Sequence, residues 1–113
     1  MRRPRTELLT TLRAEGLLFD GAMGTLLDAR RGQLPAFDCP ERLVLGAPEA
    51  IRKIHSDYLA AGADVVTTCT FGGTAHKLGL HGLEPQVRAV NLAAAKLAGE
   101  AAAAFPGALV AGS

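Results

Sequence analysis

The chain has 113 residues, of which 49% are hydrophobic and 20% are charged, and its net charge is +1. This length allows one domain with a single core over residues 1–113, and the composition is typical of globular rather than disordered proteins. The balanced charge gives no reason to expect a nucleic acid or an anionic membrane as a partner.

The start of the chain shows no targeting signal. Residues 1–5 are mostly basic, but no continuous apolar segment follows them, and no stretch reaches the roughly 20 apolar residues that span a bilayer. Two cysteines are too few for the disulfide framework of a small secreted domain. We therefore expect a cytoplasmic protein in which Cys39 and Cys69 remain thiols.

The first part of the chain predicts a short helix, a strand and a long loop. Leu8 and Leu12 are spaced as on a short amphipathic helix, and the apolar run at residues 17–19 predicts a buried strand that ends at Asp20. Residues 30–45 contain one glycine and two prolines with little periodicity, which predicts a long loop.

The remaining residues alternate between predicted helices and strands. A helix is predicted to begin at Pro48 and to end near Gly62, and the β-branched, nearly uncharged residues 63–71 predict a buried parallel strand. A second long helix is predicted at residues 84–104 and a third strand at residues 108–111. This order predicts an α/β protein with a parallel sheet.

Parallel sheets of this class bind ligands at the carboxyl ends of their strands, which here are residues 20–25 and 68–73. In the first segment, Asp20 suits an amino group, and the backbone N–H groups around Gly21 could bind a carboxylate. The alternative is that the glycines only turn the chain and that Asp20 caps the next helix. The second segment offers hydroxyl groups, a thiol and an aromatic ring, with alternate members facing the same side of a strand.

The cysteines and histidines form no diagnostic catalytic or metal-binding motif. Cys69 has no histidine at a diagnostic spacing, which favours a small buried residue over a nucleophile or a metal ligand. His76 and His81 lie in a glycine-rich loop without the spacing of a zinc site, and His55 is predicted to be a surface or packing residue.

Several motifs, in order along the chain, resemble the homocysteine S-methyltransferase family, and the resemblance covers residues 17–113. The motifs are FDGAMGT at residues 19–25, APEAI at 47–51, IHSDYLAAGAD at 54–64, TCTFG at 68–72, KL at 77–78, HGL at 81–83 and NLAAAKLA at 91–98.

The resemblance implies the N-terminal portion, about three strands, of a (β/α)8 TIM barrel that transfers a methyl group to homocysteine to give methionine. Zinc would favour the thiolate form of homocysteine. Asp20 would bind its amino group, and Gly21 and Ala22 would lie against its carboxylate. Thr68 and Phe71 would line the same mouth. The methyl donor stays open among methylcobalamin, betaine and S-methylmethionine, and methylcobalamin would bring cobalamin on another domain.

The chain departs from the family pattern in two respects. Family members often have an acidic residue or glutamine at the position of Thr67 and asparagine at that of Cys69. Their zinc is bound by three cysteines on later strands, and neither Cys39 nor Cys69 corresponds to these. We therefore expect an N-terminal fragment that is inactive alone and folds poorly without the remainder of the barrel as its partner. The alternatives are a non-catalytic small-molecule-binding module and an α/β domain with an unrelated role.

Overall fold

The computed structural model describes residues 5–113, so the basic start, residues 1–4, lies outside the described residues. Within that range the α-helices are α1 (Arg5–Ala14), α2 (Gly24–Asp28), α3 (Pro40–Gly46), α4 (Pro48–Ala60), α5 (Ala75–Gly79) and α6 (Val87–Ala103). The strands are β1 (Val65–Thr67) and β2 (Leu109–Ala111), and two 3-10 helices lie at Arg31–Gln33 and Glu84–Gln86.

The sheet is parallel, as predicted, and α6 is the crossover between its two strands. Val65 pairs with Leu109 and Thr67 with Ala111. On the other side of β1, Phe19 forms a single parallel bridge to Val65. The segment that contains Phe19 therefore lies beside β1, on the side away from β2.

The predicted strands are longer than the observed ones. Residues 17–19 form only that one bridge, and the prediction that they are buried is wrong, because Leu18 and Phe19 are 61% and 53% exposed. The strand predicted at residues 63–71 ends at Thr67, because the backbone then curls and Thr70 N–H donates to the carbonyl of Thr68. About three full strands were predicted, whereas the described residues form two strands and one bridge.

Two predicted loops contain helices. In the segment 30–45, α3 begins at Pro40, which suits the first turn of a helix, and it buries Leu43 and Val44. The segment that holds His76 contains α5, which is capped by the hydroxyl of Thr74 accepting a hydrogen bond from the N–H of Lys77 at 3.2 Å.

The two long helices were predicted correctly, and they form the core. One apolar cluster includes Ile51 and Ile54 of α4 packed with Ala94 and Leu97 of α6. A second cluster packs the end of α6 over Val66 of β1. This packing covers one face of the sheet and leaves the carboxyl ends of its strands accessible. No helix in the described part of the chain is long and apolar enough to cross a membrane.

Candidate functional site

A cavity of about 750 Å³ lies at the carboxyl ends of β1, of β2 and of the extended segment before Asp20. All five residues predicted to bind a ligand line this cavity: Asp20, Gly21, Ala22, Thr68 and Phe71. The sequence analysis did not assign the other side chains that line it to a ligand site, and these include Met23, Pro40, Glu41, Thr67, Cys69, Lys77, Leu80, His81 and Ser113.

Asp20 links the first extended segment to the end of β1. Its Oδ2 accepts a hydrogen bond from the backbone N–H of Thr67 and its Oδ1 accepts one from the Thr67 hydroxyl, both at 2.9 Å. The alternative in which Asp20 caps the next helix is wrong, because Met23 occupies the N-cap of α2 and no side chain caps that helix. The carboxylate is therefore held at the strand ends, inside the cavity wall.

Gly21 and Ala22 are held against α4 by Tyr58. The Tyr58 hydroxyl donates to the carbonyl of Ala22 at 2.7 Å. A Cβ atom at position 21 would lie 2.8 Å from the Tyr58 hydroxyl oxygen, so this backbone approach requires glycine. The close contact fixes where the backbone after Asp20 runs along the cavity.

Thr68 belongs to a small hydrogen-bonded group at the base of the cavity. Its hydroxyl lies 2.7 Å from that of Thr70, and it accepts a hydrogen bond from the N–H of Ser113 at 3.3 Å. Thr70 Oγ1 donates to the Ser113 carbonyl at 3.1 Å. Thr68, Cys69 and Phe71 all line the cavity while Thr70 does not, because the alternation predicted for a strand is lost once β1 ends at Thr67.

Phe71 and Lys77 form the exposed lip of the cavity. The Phe71 side chain is 78% exposed, and the ammonium of Lys77 lies 4.1 Å from the centroid of its ring. The same ammonium is 3.5 Å from the Phe71 carbonyl oxygen. The lip therefore combines an aromatic face with one positive charge.

Glu41 is a buried acidic residue in the cavity wall that sequence reasoning missed. It is 5% exposed, and its Oε2 accepts a hydrogen bond from the backbone N–H of Gly72 at 3.3 Å. The Pro–Glu pair at residues 40–41 could have revealed α3, since the same pair at residues 48–49 marks the start of α4.

Among residues 5–113, the carboxylate, thiol and imidazole of Asp38, Cys39 and His81 lie within 4.8 Å of one another. Arg42 donates to both oxygens of Asp38, at 2.7 and 3.2 Å, and this interaction holds the pKa of Asp38 well below its usual range. A bound dication would lie next to the guanidinium and would compete with it for the carboxylate. The group therefore does not fit the zinc that the sequence resemblance implies.

The same interactions position His81 at the cavity wall. Its Nδ1 lies 3.0 Å from Asp38 Oδ2, and its backbone carbonyl accepts a hydrogen bond from Arg42 at 2.7 Å. The cluster is thus an ion-paired link between α3 and the turn after α5.

The two cysteines are free and buried. Burial raises the pKa of Cys69 to about 12, with a further contribution from nearby Glu41, and burial also raises the pKa of Cys39. Both groups are therefore thiols at neutral pH, and a thiol is a poor nucleophile. This agrees with the prediction that Cys69 is a small buried residue.

His55 is completely buried behind the site, in α4. Neither ring nitrogen has a hydrogen-bond partner among residues 5–113. Burial lowers the pKa of His55, and the charge of Asp20 opposes that shift. The prediction that His55 is a packing residue is therefore confirmed, and the alternative that it lies on the surface is wrong.

Comparison with known proteins identifies the family. The profile described as homocysteine S-methyltransferase matches residues 17–113. The chain belongs to this family. The boundaries of the match are those of the sequence resemblance, and the match contains every predicted ligand-binding residue.

Relatives within the family cover a range of lengths. Methionine synthase of Mycobacterium tuberculosis is 38% identical over 87 residues, which are 74% of this chain and 7% of that protein. Homocysteine S-methyltransferase 4 of Zea mays is 40% identical over 55 residues, which are 49% of this chain and 16% of that protein.

The crystal structure of the homocysteine methyltransferase MmuM from Escherichia coli, in its metallated form, is similar in fold. It superposes with a TM-score of 0.74 at 30% identity, over 93% of this chain and 40% of that one. The chain thus spans less than half the length of the relatives it matches. It is a mixed α/β unit of a methyltransferase family.

Proposed function

We propose that the cavity binds homocysteine and that a complete protein carrying this segment transfers a methyl group to its sulfur, giving methionine. One observation carries the proposal: in a chain of this family, the five residues singled out from the sequence line one cavity at the strand ends. The segment would form the first part of a (β/α)8 barrel, in which functional groups gather at that end.

Each of the five residues has a proposed role in binding. Asp20 binds the ammonium group, to which its charged carboxylate can still offer unused lone pairs. Backbone N–H groups at Gly21 and Ala22 bind the carboxylate of homocysteine, and Thr68 and Phe71 complete the wall.

In the proposed reaction, the thiolate sulfur of homocysteine attacks the methyl carbon of the donor. The new sulfur–carbon bond forms as the methyl–donor bond breaks, and that bonding pair leaves with the donor. A free thiol is mostly protonated at neutral pH, so the reaction needs a group that favours the thiolate.

Zinc supplies that function when bound, according to the sequence resemblance. Because Asp38, Cys39 and His81 do not fit zinc, we propose that its ligands lie outside residues 5–113 of the complete protein. The methyl donor stays a prediction with three alternatives: methylcobalamin, which would bring cobalamin, betaine and S-methylmethionine. The cytoplasmic location is likewise a prediction from the sequence.

The proposal is tested by titrating a complete barrel that carries this segment with homocysteine in a calorimeter, with serine as the control ligand. We expect homocysteine to bind and serine to bind at least tenfold more weakly. Methionine formation is then measured with each of the three donors. We expect turnover by the complete protein and none by the chain alone. Absence of homocysteine binding would contradict the proposal, and binding without turnover by the complete protein would favour a non-catalytic binding module.

A further inference from the structure

Glu41 is a buried charged side chain in the cavity wall, and it makes few hydrogen bonds. Of its two carboxylate oxygens, Oε2 accepts one long hydrogen bond from Gly72, and Oε1 accepts none from residues 5–113. The ion pairs within the described residues do not include Glu41. A carboxylate that is 95% buried, with a single hydrogen bond, carries an uncompensated desolvation cost.

The other acidic residue of the cavity wall is in a different situation. Both oxygens of Asp20 accept hydrogen bonds from Thr67 at 2.9 Å. An ionised carboxylate has about four acceptor sites, so Asp20 uses half of them and Glu41 about a quarter. Glu41 therefore has more capacity left for a donor that enters the cavity.

The nearby lysine does not neutralise Glu41. Although Lys77 also lines the cavity, its ammonium contacts the ring and the carbonyl oxygen of Phe71. The positive charge at the lip and the negative charge at Glu41 are thus separate features of the wall. A ligand that has a cationic group can therefore bind the negative charge of Glu41.

Gly72 holds the Glu41 carboxylate against the backbone. A Cβ atom at position 72 would lie 2.7 Å from Oε1 of Glu41, closer than real Cβ contacts allow. A side chain at position 72 would therefore displace the carboxylate from this place. Gly72 is the last residue of the segment TCTFG, residues 68–72, which resembles a family motif, and its lack of a side chain leaves room for the Glu41 carboxylate.

We propose that Glu41 binds the primary ammonium group of the amino-acid substrate, as a carboxylate additional to Asp20. The inference rests on the proposed function for the identity of that substrate. An ammonium offers three N–H donors, and both Glu41 and Asp20 line the cavity with acceptor sites left. The bond to Glu41 is charge-assisted and lies in a largely buried place, where such bonds are strong.

The experiment compares three ligands with a complete barrel that carries this segment, called the unmodified chain below, and with its variant Glu41→Gln. The ligands are homocysteine, 3-aminopropane-1-thiol, which lacks the carboxylate, and 4-mercaptobutanoate, which lacks the ammonium. Glutamine keeps an oxygen that can accept from Gly72 N–H, so only the charge is removed. Glu49→Gln is the matched control, because Glu49 is an exposed residue paired with Arg52 on α4.

We expect Glu41→Gln to weaken homocysteine and 3-aminopropane-1-thiol about 10- to 100-fold, the usual range for a hydrogen bond to a charged group, and to leave 4-mercaptobutanoate unchanged. Glu49→Gln should bind all three like the unmodified chain. Equal affinities of Glu41→Gln and the unmodified chain for the two ammonium ligands would overturn the inference.

A wrong proposed function and a wrong role for Glu41 give different results in this experiment. If the unmodified chain binds 3-aminopropane-1-thiol in a Glu41-dependent way but does not bind homocysteine, the ammonium site stands and the proposed substrate is wrong. If it binds none of the three ligands, both are wrong. Gly72→Ala provides a second variant, should Glu41→Gln not fold: it displaces the carboxylate without removing its charge, and we expect the same selective loss of the two ammonium ligands.

Discussion

At the scale of single residues, Asp20 has a structural contact and a proposed ligand contact that one substitution can separate. Asparagine can accept from the Thr67 N–H through its oxygen and donate to the Thr67 hydroxyl through its nitrogen. Asp20→Asn therefore preserves the link to β1 and removes the charge.

We expect Asp20→Asn, in a complete barrel that carries this segment, to weaken homocysteine binding by roughly 10- to 100-fold, the cost of about 1.5–3 kcal/mol for a charge-assisted hydrogen bond. Its zinc content and its midpoint of urea unfolding should stay the same. The dissociation constant and the unfolding midpoint are measured on the same samples. Unchanged affinity would mean that Asp20 serves only to hold Thr67.

His55 makes stability depend on pH. Its pKa is lowered in the folded state by burial, relative to an ordinary value near 6.5. The unfolded chain therefore takes up a proton first, and stability that is fully present above about pH 6.5 is lost as the pH falls towards the folded pKa.

We expect His55→Leu to raise the free energy of unfolding at pH 7 by about 1–2 kcal/mol, because it removes two buried nitrogens that find no hydrogen-bond partner in the described part of the chain. The loss of stability between pH 7 and pH 5 should also become smaller. Urea unfolding of both proteins across that range checks this, because the comparison cancels every contribution that the two proteins share. Parallel pH curves for the two proteins would show that His55 does not titrate in this window.

The ligand-facing residues could be predicted only where their positions follow from strand ends. Asp20 and Thr68 follow directly after two extended segments that pair in parallel, so their meeting at one edge is a property of parallel sheets. Glu41 and His81 reach the same cavity from segments interpreted as loops. Their side chains are brought there by α3 and by the link from Asp38 and Arg42 to His81, which no local pattern encodes.

At the scale of the elements, the contact between α4 and the backbone after Asp20 determines the position of one cavity wall. Gly21 lies against the Tyr58 ring, and the Tyr58 hydroxyl binds the next carbonyl. We expect Gly21→Ala to cost about 1–3 kcal/mol of stability, the usual cost of overpacking.

Tyr58→Phe provides the control for that variant. It removes the oxygen that the new methyl group would approach most closely, so Gly21→Ala should cost less in the Tyr58→Phe background. Urea unfolding of the two single variants and the double variant gives a coupling free energy, expected to be about 0.5–2 kcal/mol. A coupling near zero would show that the loop moves away from α4 freely.

The long helices were predictable and the short ones were not, for a physical reason. The 13-residue α4 and the 17-residue α6 repeat their apolar positions over several turns. The seven-residue α3 and five-residue α5 are too short to show a period, and packing stabilises them more than propensity does. The strand at residues 17–19 was predicted too long because periodicity cannot indicate how many residues find a hydrogen-bonding neighbour.

At the scale of the whole molecule, β2 is paired on one side only within residues 5–113, and several apolar side chains are exposed. Leu18 and Phe19 are 61% and 53% exposed, and Val110 of β2 is also exposed. An exposed apolar sheet edge is a template for pairing with other chains.

We expect the isolated chain to be marginally stable or to aggregate at micromolar concentration. Differential scanning calorimetry and analytical ultracentrifugation, over a tenfold range of concentration, measure both properties. A monomer with one sharp, concentration-independent melting transition would contradict this prediction. The fold would then be complete enough to bury its own core.

The Thr67–Asp20 pair also has a consequence for exchanging sequence between relatives. Where a relative has an acidic residue at the position of Thr67, as the sequence resemblance implies for many, two carboxylates would meet at the distance that a hydroxyl and a carboxylate share here. Such a pair repels unless one member is protonated or a cation lies between them. A graft that brings an acidic residue to position 67 beside Asp20 would therefore make the cavity more negative by one charge and would need a proton or a cation that this chain does not need at that place.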